Sequence, residues 1–198
     1  MDGAELFGKS LAQATIVVKQ VRPEHYANAT PCDDWHVVDL LDHMLEELHT
    51  VPKLLAGETV MPKDDDEDGV AENVMSAADI ELSNIWQAAA DISEAASNEA
   101  DPDELAHPAY GAVTNETYLY QIATDLLVHA WDLAVAIGMP IVFAPDSAVA
   151  AYDHALSADR AMQPDDPDAV PINIDENAPP QIKLLALYGR PSNWHAAE

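Results

Sequence analysis

Apolar residues recur along this chain at the spacing of helices. From Ala4 to about Val21, Leu6, Leu11, Ala14, Val17, Val18 and Val21 approximate one helical stripe. Arg22-Pro23 stops it, because the residue before a proline is pushed out of helical geometry. Thr30-Pro31-Cys32-Asp33-Asp34 supplies turn and N-capping chemistry for a second helix, in which Val37, Leu41, Met44 and Leu48 fall within about 60° of one another. That helix should run to about Leu55 and end at Gly57. A long third helix, from about Val70 to Ala96, carries Val74, Ala78, Leu82, Ile85, Ala89 and Ile92, with polar residues between them for a solvent face. The fourth spans about Glu116 to Ile137 and is closed by Gly138 and Pro140. Its buried face is expected from Leu119, Ile122, Leu126, Ala130, Leu133 and Ile137.

The intervening segments are polar and rich in helix breakers. Met61 to Gly69 reads as a solvated loop, and Asn98 to Asn115, with Asp101-Pro102 and His107-Pro108, as a connection. A shorter helix is expected from Asp146 to about Met162, capped by Asp146 or Ser147. Gln163 to Glu198 is rich in proline and acid, and should wrap the bundle as an extended arm with one short helix around Ile182 to Tyr188. The pattern predicts an all-α fold: a four-helix bundle over about residues 4–160, one extra short helix, and a C-terminal arm over about 163–198, all in a single domain.

Length agrees with one domain, since 198 residues suffice for one core and are few for two. No apolar run approaches the roughly 20 residues that span a bilayer, and Met1-Asp2-Gly3-Ala4-Glu5 lacks the basic start of a secretory signal. A cytoplasmic location is expected. Cys32 is the only cysteine, which rules out an intrachain disulfide and a cysteine-rich structural zinc site. Any metal must use histidine and carboxylate.

Charge narrows the partners. Against 36 acidic residues stand 8 lysines and arginines, a formal net charge of -28. Such a field repels phosphate backbones and anionic lipid, so neither nucleic acid nor membrane is an expected partner. The acids are scattered over helices and loops, a pattern that suits a protein working in high salt, where screening removes the self-repulsion. The run Asp64 to Asp68 lacks the spacing of a calcium-binding loop.

Chemistry enters through Asp125 and His129, four residues apart on the fourth helix, so that both side chains point one way. His129 lies about 60° from the centre of the apolar face, at the edge of the core, and Asp132 continues the same polar strip. On the second helix His43 stands beside Leu40 and shares a strip with His36 and Glu47. Two such strips facing across a bundle would form an open site, with three protein ligands and room for water or substrate. The same spacing is equally that of an ordinary helix-stabilising contact, and with so many acids chance pairs are expected. His36 and His49 are weaker alternative ligands. His25, His107, His154 and His195 lie near loops or termini and are expected to be solvated. Cys32, just before a helix, is a reactive thiol or a small buried hydrophobe. Trp35, Trp86 and Trp131 are expected to pack, with Trp35 or Trp131 able to line a pocket.

Thr30-Pro31-Cys32-Asp33-Asp34-Trp35-His36-Val37-Val38-Asp39-Leu40-Leu41-Asp42-His43 resembles the entry motif of metal-binding proteins related to mycothiol-dependent maleylpyruvate isomerase, in the DinB/YfiT-like superfamily. Asp125 to Ala134 resembles their second signature, and Ala178-Pro179-Pro180 through Leu184-Leu185-Ala186-Leu187-Tyr188-Gly189-Arg190 their C-terminal ending. The similarity covers essentially the whole chain. It implies a DinB-like bundle whose divalent metal is held by His43, Asp125 and His129. The isomerase has glutamate where this chain has Asp125, so the carboxylate is shorter, and the chain ends in a short arm where the isomerase has a larger C-terminal domain.

The expected ion is zinc, with nickel or iron as alternatives, since two imidazoles and a carboxylate suit borderline metals. A thiol bound at the open position would be activated for transfer or isomerisation; a bound water would serve hydrolysis, with Asp132 or Glu47 as a nearby base. Asp132 could instead orient a ligand ring. The thiol, if one is used, is mycothiol or another low-molecular-weight thiol. A small-molecule substrate is the expected partner, a homodimer is left open, and a non-catalytic metal- or ligand-binding protein is the competing class.

Overall fold

A computed structural model of the protein describes residues 1–59, 79–157 and 171–195, with side chains described for all of these but 79–81. Among them six α-helices form: α1 (Gly3–Val18), α2 (Val37–Leu55), α3 (Asp79–Glu99), α4 (Asn115–Ala136), α5 (Pro145–Ser157) and α6 (Pro180–Leu187). The first four pack around one core, α1 most extensively on α4 and on α3, and α2 on α3 and α4. The outer pair packs together and rests on α4 and α1 through α5. The architecture is the all-α bundle that the periodicity and the resemblance predict.

Local chemistry sets each helix. Asp2 caps α1 by accepting the Glu5 amide at 2.8 Å. The Thr30–Trp35 turn closes as expected, the Thr30 hydroxyl donating to the Trp35 carbonyl at 2.9 Å. The cap of α2 falls later than that turn, on His36, whose amide is accepted by Asp39 at 2.8 Å. The predicted stripe Val37, Leu41, Met44 and Leu48 is fully buried. Chain reversal after α4 uses Gly138 at φ 71°, a left-handed conformation that a side chain disfavours.

Several expectations need correction. The first helix ends at Val18 rather than Val21, although Val21 stays buried beyond it. On α3, Leu82 and Ala89 are buried as expected, but Ile92 is 59% exposed and the core face is Leu82, Trp86, Ala89, Ala90, Ser93 and Ser97. Specific polar contacts turn the helix that way: the Trp86 indole donates to Thr15 at 2.8 Å, and the Ser93 hydroxyl to the Leu48 carbonyl at 2.6 Å. The Asn98 to Asn115 connection contains a short antiparallel pair, Leu105–Ala106 (β1) with Val113–Thr114 (β2). This fold-back brings the Glu104 and Pro102 carbonyls onto the Asn115 and Glu116 amides, which an α-helix leaves without internal partners. Asp146 accepts the Ser147 amide inside the first turn of α5, which begins at Pro145. The loop over 61–69, the acidic run, the beginning of the third helix and the span 158–170 lie outside the described residues.

The C-terminal segment is more than a strap. Residues 171–179 run largely exposed, held by the Ile172 amide on the Ala186 carbonyl at 2.8 Å. Leu184, Leu185 and Ala186 of α6 then enter the core, and the Arg190 amide bonds to the Leu185 carbonyl as the chain turns inward.

The chain brings α1 close against α4 at Gly3. A Cβ there would lie 2.8 Å from the Glu116 carbonyl oxygen and 3.0 Å from Leu119 Cβ. Gly3→Ala should therefore destabilise the protein by about 1–3 kcal/mol, despite alanine's better helix propensity, because helix backbone must move. Chemical denaturation compared with Gly8→Ala, which meets only the Glu94 side chain at 3.3 Å, tests this.

Candidate metal centre

His43 on α2 and Asp125 and His129 on α4 converge in the bundle, their donor atoms all within 4.8 Å of one another. His129 Nε2 lies 3.4 Å from Asp125 Oδ1, and His43 Nε2 lies 3.8 Å from Asp125 Oδ2. These separations exceed a good hydrogen bond. They match donors set around a single ion, since ligands about 2.0–2.1 Å from a tetrahedral centre stand roughly 3.4 Å apart. His129 Nε2, Asp125 Oδ2 and Glu47 Oε2 are buried without a hydrogen-bond partner. Such orphaned atoms are uncommon in folded proteins and fit a cation between them.

The periodicity placed His129 at the edge of the core; it is 2% exposed. The cause is that α4 is buried nearly all round, its polar strip included: Asp125 is 3% and Asp132 0% exposed. The strip faces α2 and the turn before it. From that turn the Trp35 ring lies 5.0 Å from that of His43 and 6.2 Å from that of His129, so Trp35 lines the site while Trp131 packs in the core. Asp34, at φ 64°, helps to reverse the backbone there.

Glu47, one turn along α2 from His43, brings its Oε2 to 3.7 Å from His43 Nε2. Burial, then the neighbouring Asp125 charge, raises its carboxyl well above the ordinary range. Burial alone would lower the His43 imidazole, but Glu47, Asp125 and Glu46 outweigh it and hold it at about 9. The opposite balance holds at Asp125, where burial would raise the carboxyl while His129, His43 and Glu47 bring it down to about 2.

Asp132 lies on the other side of the His129 ring. Its Oδ2 is 3.1 Å from His129 Nδ1 and accepts from Arg190 Nη2 at 3.1 Å and from Cys32 Sγ at 3.3 Å. Cys32, His129 and Asp132 therefore form a second compact donor group. The Arg190 guanidinium already supplies positive charge to it, with Nη2 3.2 Å from Cys32 Sγ. Neither periodicity nor spacing pointed to Arg190. Its signal in the sequence was its place at the close of the Ala178 to Arg190 ending that resembles the family's, together with its being one of only three arginines.

The remaining histidines divide. His36 and His49 are exposed and outside the site, and His195 is exposed as expected. His25, His107 and His154 are half-buried rather than solvated. His25 accepts the Arg22 amide, and His154 stacks on Tyr120 at 4.7 Å.

Residues 7–134 match the sequence model of the mycothiol maleylpyruvate isomerase N-terminal domain. Uncharacterized proteins from two strains of Mycobacterium tuberculosis are each 27% identical over 176 residues, covering 88% of this chain and 90% of theirs. Among solved structures, the mycothiol-dependent maleylpyruvate isomerase superposes with a TM-score of 0.56 at 16% identity, over 66% of this chain. The chain spans 59% of that isomerase's length, and the likeness is one of fold.

The matched region contains the chain's single thiol. Burial, then the Asp132 charge, pushes Cys32 far above an ordinary cysteine, with Arg190 only partly opposing them. Alkylation of the native protein by iodoacetamide at pH 8 should thus run at least about tenfold slower than that of free cysteine and recover on unfolding, because rate follows thiolate fraction. An equal rate would show that burial does not suppress the thiol, and a faster one would identify Cys32 as an activated thiol.

Proposed function

The chain belongs to the mycothiol maleylpyruvate isomerase N-terminal domain family, and from that premise we propose that it is a divalent-metal-dependent enzyme acting on a small electrophile with a low-molecular-weight thiol. The observation that carries the reading is the convergence of His43, Asp125 and His129 beneath Trp35, with Asp125 Oδ2 and His129 Nε2 buried and outside hydrogen-bond geometry. His43 and His129 would hold the ion through their Nε2 atoms and Asp125 through its carboxylate. Zinc suits this set, with nickel or iron as alternatives. When bound, such an ion lowers the pKa of a coordinated thiol or water, making it nucleophilic at neutral pH.

The chain's own residues supply placement and proton handling. Trp35 offers an aromatic wall against both imidazoles and shields the site from water. Glu47, whose buried carboxyl favours its protonated form, is the group placed to hold or return a proton beside His43. Asp132 has its oxygens turned to Arg190, Cys32 and His129, which suits orientation of the His129 ring better than action as a base. Hydrolysis through a bound water is the competing reaction, and binding without turnover the competing class.

Elemental analysis of purified protein should find about one divalent ion per chain, lost in both His43→Ala and His129→Ala. Full retention by both variants would overturn the site. Thiol-dependent turnover of an unsaturated acid, set against thiol-free hydrolysis and against no turnover, then separates the three readings.

Ion uptake should also release protons. His43, held at about 9 without an ion, carries a proton at pH 7 and must lose it to become a ligand. The raised pKa means that affinity rises with pH until about 9 and levels off above it. Calorimetric titration of zinc into ion-free protein, in two buffers of different ionisation enthalpy, should report close to one proton released at pH 7. Release unchanged at pH 10 would remove His43 as its source.

A further inference from the structure

We propose that Arg190, just beyond α6 in the C-terminal segment, is a positioning residue for the metal centre, acting through Asp132 to set which nitrogen of His129 carries the proton and so leaves the Nε2 lone pair to the site. The geometry is a chain of direct contacts. Arg190 donates to both Asp132 oxygens, Nε at 3.3 Å to each and Nη2 at 3.1 Å to Oδ2. Its Nη1 is occupied by the Tyr188 carbonyl at 2.8 Å, which fixes the plane of the guanidinium. Asp132 Oδ2 in turn stands 3.1 Å from His129 Nδ1, and the far nitrogen of that ring, Nε2, faces Asp125 and the donor cluster.

Each link follows from the one before. Asp132 is wholly buried, where a carboxylate calls for a fixed cation beside it. Arg190, 7% exposed and held by two protein carbonyl contacts, is that cation. An anionic Asp132 can only accept, so the neutral His129 ring must carry its proton on Nδ1 and leave the Nε2 lone pair to the site. Without Arg190 the carboxylate loses the donors that fix its position, the Nδ1 proton loses its aligned acceptor, and the ring is free to take the opposite tautomer. The segment that ends the fold would thus be coupled to a site formed by α2 and α4. The coupling is reciprocal: whatever strengthens ion binding strengthens the docking of residues 188–190.

The affinity half of this inference rests on the proposed metal site; the tautomer half does not. Long-range proton–nitrogen spectra of ion-free protein at alkaline pH, where imidazoles are neutral, should show His129 as the Nδ1–H tautomer. Arg190→Met should shift it toward Nε2–H, and Asp132→Asn should cancel any further effect of Arg190→Met. Zinc affinity, measured by competition with a chelating dye, should fall roughly 10–100-fold in Arg190→Met and less in Arg190→Lys. Leu184→Ala, which loosens α6 while keeping Arg190, should lower Tm yet leave affinity within about twofold. Circular dichroism confirms that each variant is folded.

An unchanged tautomer in Arg190→Met, or an Nε2–H tautomer in the unaltered protein, would overturn the inference. So would an affinity loss in Leu184→Ala as large as that in Arg190→Met, because it would reduce Arg190 to a structural tie. If the unaltered protein takes up no zinc, the metal reading fails and the tautomer result alone decides the role of Arg190.

Discussion

The structure depends on a demand created by α4: a helix buried on almost every side carries two aspartates and a histidine into the core. Each charge must find its counterpart there, because solvation in the interior is too weak to hold it. Asp132 is answered by Arg190 and by the ring of His129, while Asp125 is answered by His129 and His43. His129 belongs to both sets, one ring nitrogen in each. This sharing makes the polar interior a single connected arrangement, in which moving one partner disturbs the others.

The surrounding fold can be understood as the support for that arrangement. The α1–α4 contact is close enough to exclude a methyl group at Gly3, and it fixes the start of the helix that carries the site. The β1–β2 fold-back satisfies the first amides of α4, so its N-terminus is set by backbone contacts as well as by Thr114. The Thr30–Trp35 turn presents two side chains in different directions, Trp35 onto the imidazoles and Cys32 onto Asp132 and Arg190. In a chain with 36 acids and 8 lysines and arginines, the burial of one arginine is telling. Lys9, by contrast, keeps its charge at the surface, between Glu5 and Asp146.

Much of this was legible in the sequence, for reasons that are local. The stripe on α2, the closing glycine after α4 and the four-residue step from Asp125 to His129 all follow from the helical period and from backbone preferences. Ile92 shows where the period fails: α3 was rotated by contacts of Trp86 and Ser93 with other helices, and a serine took a core position that hydropathy assigns to isoleucine. His129 shows a second failure. Periodicity measures one face of a helix, and cannot tell that neighbours cover the other faces as well.

The sequence by itself determined the helices, their order, and the pairing of Asp125 with His129 on one side of α4, because covalent spacing and the 3.6-residue turn act within a few residues. Only the tertiary structure decided that His43 meets that pair, that Trp35 covers it, and that Arg190 reaches Asp132 across 58 positions of chain. Those contacts depend on how α2, α4 and the C-terminal segment pack, and packing is settled by the whole core at once. For the same reason Asp132, a plain acidic neighbour of His129 in the sequence, became in three dimensions the link between that histidine and the C-terminal segment.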